Sequence, residues 1–139
     1  MIKFFILLLV LIPSLVLADQ VPTVCHNELS AWIKAKKPLS IVDIQSAAEF
    51  HEHNYDQSLP SANDPTRLKK IAARLRSSQG KVVVVSTSGG ADAAQARELL
   101  ALGGVQRSRI LVLEGGMEAA AKNAACDCCK PASLQGASQ

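Results

Sequence analysis

Residues 82–85 are four consecutive valines, and the run breaks at once into Ser86, Thr87, Ser88, Gly89 and Gly90 before a helical pattern begins. β-Branched residues favour extended backbone, where their stiff side chains pack on a pleated surface. A run that is apolar at every position has to be covered on both faces. Parallel sheets with crossover helices meet that condition. A strand ending in small, backbone-exposing residues at the mouth of a helix is also how α/β proteins build anion pockets. The run therefore predicts an α/β fold and marks where a site should lie.

The rest of the chain shows the matching alternation of apolar runs and helical patterns. After an extended piece at residues 21–24, Leu29, Trp32, Ile33 and Lys36 share one helical face, and Pro38 closes that helix. Residues 39–44 read as a buried strand and 47–53 as a short helix, followed by an irregular stretch through Pro60 and Asn63. Asp64 followed by Pro65 is a strong helix start, a side-chain acceptor and then a residue whose fixed φ suits the first helical position. Leu68, Ile71, Ala72 and Leu75 follow as one apolar stripe, with Gly80 as the expected stop. Ala96, Leu99 and Leu100 line a helix ending at Gly103 and Gly104, residues 110–113 form another strand, and a last helix is expected over 117–125. In open parallel sheets, ligands bind beyond the carboxyl ends of the strands. The loop after Val85, the turn at Gly115 and Gly116 and the segment after Ile44 should then share one edge.

Residues 1–18 have the form of a secretory leader: Lys3, an apolar run, then Val16, Leu17 and Ala18 where a signal peptidase reads. The apolar run is shorter than the roughly 20 residues a spanning helix needs, and Pro13 interrupts it. We therefore expect cleavage after Ala18, a periplasmic or secreted protein, and no stable membrane insertion afterwards. What remains, about 120 residues, suits one domain with one core. Basic and acidic residues number 15 and 12, and Lys3 leaves with the leader. That near balance gives no argument for nucleic acid or an anionic membrane. Arg67, Lys69, Lys70, Arg74 and Arg76 fall on a helical stretch and form its solvated face.

An oxidising compartment permits disulfides. Cys25 lies near the mature N-terminus, and Cys126, Cys128 and Cys129 lie together near the C-terminus. Three complete pairings are open. Cys128 and Cys129 are adjacent, so a bridge between them would be strained, and the expected pattern includes a bridge from Cys25 to the tail.

The segments IVDIQSAAEF, VVVVSTSGGADAAQARELLALGG and ILVLEGGMEA resemble, in order and spacing, the rhodanese (thiosulfate sulfurtransferase-like) domain, over roughly residues 24–121. The resemblance implies a central five-stranded, mainly parallel sheet with helices on both faces, over 19–125, followed by a cysteine-containing tail at 126–139. It also implies that the residue opening the loop after the fourth strand is, in active members, a cysteine that carries sulfur as a persulfide. That residue is Ser86 in this chain. A serine hydroxyl cannot carry a sulfane sulfur and is far too weak an acid to supply the required anion. Other positions depart as well: Asp43 of a D-x-R motif is kept while its arginine is Gln45, residues 53–57 replace a G-H-I-x-G stretch, and Ala120 stands for a tryptophan. The loop enters its helix through Ala91 and Asp92, where Asp92 is expected to cap the helix and repel an anion.

Ser86, Thr87, Ser88, Gly89, Gly90, Ala91 and Asp92 thus form a degenerate site loop, with Asp43, Gly115 and Gly116 on the supporting edge. The sequence reading is a binding module for a small ligand or protein partner, in an extracytoplasmic sulfur or redox setting by family analogy. An alternative is a sulfurtransferase or thiol oxidoreductase using Cys126, Cys128 or Cys129, and a third is a soft-metal carrier. Against the second, about ten residues separate Gly116 from Cys126, roughly 15 Å if helical. By the family fold, Cys25 lies near the C-terminal helix, and a bridge closing about 100 residues would add about 3–5 kcal/mol. No cofactor or resident metal is expected; metal binding would need Cys25 or His26 to join the tail cluster, since three clustered cysteines do not complete a tetrahedral site. His51 and His53 suit a solvated surface, and His26 a solvent-facing place near a helix start. G-x-S-x-G and Walker patterns are absent.

Overall fold

A computed structural model of the chain describes residues 20–122. The expected leader, the tail with Cys126, Cys128 and Cys129, and residues 123–125 of the expected last helix lie outside the described residues. In chain order the elements are β1 (Thr23–Val24), α1 (His26–Lys34), β2 (Leu39–Asp43), α2 (Ala47–Glu52), β3 (Leu59–Pro60), α3 (Pro65–Leu75), β4 (Lys81–Val85), α4 (Ala91–Leu102), a 3₁₀ turn at Arg107–Arg109, β5 (Ile110–Leu113) and α5 (Gly116–Ala121). The sheet order is β1-β5-β4-β2-β3, and every pairing is parallel.

The valine run forms the centre of this sheet. Val82 and Val84 join one apolar cluster with Val42, Ile110 and Val112, covered by α3 and α4. Val83 and Val85 join a second with Val24, Ile41 and Leu113, against Leu29 of α1 and Met117 of α5. All four valines are fully buried, and burying each contributes about 1.5–3 kcal/mol. Two half-cores thus meet through one strand.

Helix α3 follows its sequence closely. Asp64 Oδ1 accepts the Thr66 N–H at 2.8 Å, Pro65 occupies the first turn, and Leu68, Ile71, Ala72 and Leu75 are its buried residues. Arg67, Lys69, Lys70, Arg74 and Arg76 are exposed, as expected. Gly80 is not the stop, because the helix ends at Leu75 with Arg76 as its cap. Arg109 secures that end, donating from Nη1 to the Leu75 carbonyl at 3.2 Å and from Nη2 to Ser78 Oγ at 3.0 Å. Lys36 is likewise not on the face of α1, which ends at Lys34. It is exposed and holds a left-handed φ of 51°.

The irregular stretch contains β3, too short to show a period in the sequence. On α4, Ala93, Ala96, Arg97 and Leu100 are buried and Leu99 is only half-buried. Arg97 tolerates burial because its Nε donates to the Ile110 carbonyl at 3.1 Å and its Nη2 to the Arg107 carbonyl at 3.3 Å. No helix among the described residues is long and apolar enough to cross a membrane.

Candidate functional site

The parallel strands bring Ser86, Asp43 and Gly115–Gly116 to the same edge of the sheet. Asp43 lies opposite Val85 in the β2–β4 register, and the Ile44 N–H donates to the Val85 carbonyl at 2.8 Å. The loop from β4 is tied to the turn after β5: the Met117 N–H donates to the Ser86 carbonyl at 2.9 Å and the Glu118 N–H to the Thr87 carbonyl at 3.0 Å. Gly116 has a left-handed φ of 60°, and a Cβ there would lie 2.5 Å from both the Ser86 and Thr87 carbonyl oxygens. Only glycine lets the two loops approach so closely.

Ser86 sits inside this junction with no exposed surface. Its Oγ accepts the Gly89 N–H at 2.7 Å, so one of the loop's backbone donors is turned inward onto the hydroxyl. Thr87 donates from Oγ1 to Glu49 Oε1 at 3.2 Å. Glu49 is also the far half of a capping box with Ser46, whose hydroxyl and backbone N–H both reach Oε2, at 2.8 and 3.1 Å. These bonds, the hydroxyl's first, hold the Glu49 carboxyl below its ordinary range. The sequence reading missed Glu49, although the S-x-x-E spacing from Ser46 to Glu49 was its visible signal. Ser88, Gly90, Ala91 and Asp92 form the exposed part of the loop.

Asp92 does not cap α4. Gly90 is the N-cap, without a side-chain bond, and Asp92 lies in the first turn, where its Oδ1 accepts the Ala93 N–H at 2.8 Å. A carboxylate there already meets the positive end of the helix dipole. An external anion would compete with it.

Asp43 is fully buried. Its Oδ1 accepts the Gln45 N–H at 2.9 Å and its Oδ2 accepts Gln45 Nε2 at 3.1 Å. The same Nε2 reaches the His53 carbonyl at 3.1 Å. Burial pushes the Asp43 carboxyl upward, the Gln45 bonds oppose it, and Glu49 adds a smaller push in the upward direction. A neutral amide thus occupies the place where the resemblance expects a guanidinium.

A cavity of about 220 Å³ opens at the same edge, lined among others by Gln45, Phe50, His51 and Arg67. None of its lining residues belongs to the loop at 86–92. His51 and His53 are exposed, as expected. His26 is not solvent-facing: it is half-buried, with Nδ1 2.6 Å from the Tyr55 hydroxyl. Tyr55, buried in the second cluster, supplies a partner the sequence did not reveal. Cys25, the residue before His26, is buried at the start of α1. Among the described residues no group of three or more His, Cys, Asp or Glu side chains is placed to hold a metal ion.

Residues 26–123 match the family model described as a rhodanese-like domain. No curated protein matches the sequence. Among solved structures, the chain is similar to a rhodanese-related protein from Thermoplasma volcanium, at 20% identity and a TM-score of 0.57, covering 74% of this chain and 93% of that one. It is also similar to a yeast protein tyrosine phosphatase of the rhodanese family, at 19% identity and a TM-score of 0.58, covering 77% and 88%. A thiosulfate sulfurtransferase from Pseudomonas aeruginosa gives 19% identity and a TM-score of 0.60 over 75% of this chain and 18% of that chain. At these identities the likeness is one of fold.

Proposed function

The chain belongs to the rhodanese-like domain family, and from that premise we propose that it is a binding module that has lost the sulfur chemistry of the family loop. The observation that carries this reading is Ser86: a hydroxyl in place of a thiol, without exposed surface and already accepting a hydrogen bond from Gly89. A sulfur carrier must present a thiolate to solvent-borne donors. This loop presents Ser88, Gly90, Ala91 and Asp92 instead. Asp92 in the first turn of α4 and Gln45 on Asp43 both lower the site's attraction for anions. A neutral small ligand or a protein segment suits this edge better than thiosulfate or a phosphate ester.

The proposal includes export, with the leader at 1–18 removed, and a periplasmic or secreted location. It also includes a disulfide from Cys25 to the tail. Two features support the disulfide. Cys25 is buried, which suits a bonded sulfur better than a reactive one. It also follows β1, which pairs with β5, and β5 leads directly into the last helix. The chain therefore heads toward its tail from the strand next to Cys25.

The test is thiosulfate:cyanide sulfur transfer by the purified mature chain, alongside Ser86→Cys and a variant lacking the three tail cysteines. An inactive wild type with activity gained in Ser86→Cys supports the reading. An active wild type that the tail deletion abolishes replaces it with an enzyme that uses the tail thiols. Intact mass with and without reductant counts the disulfides, and four free thiols would remove the bridge.

A further inference from the structure

One cavity lies away from the site edge. It has a volume of about 800 Å³ and lies at the amino-terminal end of β2, between the last turns of α1 and α3. We infer that this groove takes an extended, acidic segment of another protein, which adds as a strand beside the open half of β2. The inference is independent of whether the loop at Ser86 binds anything.

β3 pairs with β2 only at Val42 and Asp43. The Asp43 carbonyl points to the β3 side, where it accepts the Ser61 N–H at 2.8 Å. Backbone groups alternate sides along a strand, so Leu39 and Ile41 face that same side. β3 begins at Leu59, opposite Val42, so the Leu39 N–H and carbonyl have no strand beside them among the described residues. Such an edge is a template for a further strand. Folded chains commonly blunt it with a bulge, a proline or a covering loop. Here Pro60 lies on β3, beyond the open half.

The groove's chemistry then selects the occupant. Its floor is apolar, with Ile33, Leu39 and Ile41 toward α1 and Leu59 and Leu75 at the other side. Its rim carries Lys36, Lys37 and Arg74, against Asp56 as the one carboxylate among the lining residues. A second cavity of about 460 Å³ shares Lys37 with it and adds Trp32, Lys81 and Arg109. Alternate side chains of an added strand would meet the two faces of the edge. An occupant with apolar residues at alternate positions and carboxylates between them satisfies both floor and rim. A second copy of the chain would bring the same basic rim to its partner and meet like charge.

The test uses ¹⁵N-labelled full-length mature chain and a heptapeptide alternating valine and glutamate. Expected are shifts of the Leu39, Ser40 and Ile41 amides on titration, slowed hydrogen exchange at Leu39, and binding about tenfold weaker for Lys36→Glu/Lys37→Glu or for a valine–lysine peptide. A peptide N-methylated along one edge keeps its side chains but loses its donors, and should not bind. Absence of shifts at residues 39–41 overturns the proposal, and so does equal binding of the N-methylated peptide. Protection of Leu39 without any peptide overturns it in favour of another occupant: the chain's own tail if the protection is independent of concentration, a second copy if it rises with concentration.

Discussion

Gly116 and Ser86 lie so close that a single methyl group on the glycine would sit 2.5 Å from the serine's carbonyl oxygen. The contact joins the ends of β4 and β5, and the neighbouring Met117 N–H donates to that same oxygen. Gly116→Ala forces the two loops apart and places a side chain at a positive φ. A loss of about 2–4 kcal/mol is expected, read by urea denaturation. A loss below about 1 kcal/mol would mean that the loops separate freely.

Ser86→Ala probes the inward-turned hydroxyl. It removes the acceptor of the Gly89 N–H while leaving the strand packing intact, and should cost about 1–2 kcal/mol. The Gly89 amide should also exchange faster with solvent, which hydrogen exchange on that single resonance can check. An unchanged Gly89 rate would show that the loop is held by backbone contacts alone.

Asp43 should make stability depend on pH in an unusual sense. Its carboxyl is raised in the folded chain, chiefly by burial, so it holds its proton more tightly there than when unfolded. Its contribution is complete below the ordinary value of 3.8 and is lost as pH rises through the folded value. Glu49, lowered by Ser46, contributes above its ordinary value of 4.5 and loses that contribution as pH falls through its folded value. Asp43→Asn should therefore gain on the wild type as pH rises just above 3.8. Denaturation midpoints at a series of pH values measure the gap, and a gap that stays constant would rule out burial as its cause.

Tyr55 and His26 form a pair whose coupling can be measured. Burial pushes the Tyr55 hydroxyl up to about 12, so it keeps its proton, and it lies in hydrogen-bond contact with His26 Nδ1 at 2.6 Å. Tyr55→Phe should cost about 1 kcal/mol. Combined with His26→Ala, the two losses should fall short of additivity by about 0.5–1.5 kcal/mol. Full additivity would mean that the short contact contributes nothing.

The sequence made the sheet legible where patterns were long or chemically marked. The valine run is unbroken and β-branched, the Asp64–Pro65 start carries a cap, and the stripe from Leu68 to Leu75 carries a period. β3 was not legible, because two residues have no period and its place is fixed by pairing with Val42 and Asp43. The site loop was located from Ser86 and its glycines, but its partners were not. Glu49 on Thr87 and Tyr55 on His26 are contacts between separate segments, whereas Gln45, two residues from Asp43, was visible as the replacement in the D-x-R motif. Arg97 was hidden for a related reason. Its burial depends on carbonyls 10 and 13 residues away in the chain, so helical spacing alone counts it as a solvated charge.

Val85 and Ser86 are neighbours in the chain, yet they answer to different demands. The valine belongs to a strand whose every side chain from Val82 onward is enclosed by one half-core or the other. The serine begins a loop held by backbone contacts and by its own hydroxyl, which accepts the Gly89 N–H. Both side chains are enclosed, but the valine is held to a volume and the serine to an acceptor atom. A fold divided at that point answers to shape on one side of a single peptide bond and to polarity on the other.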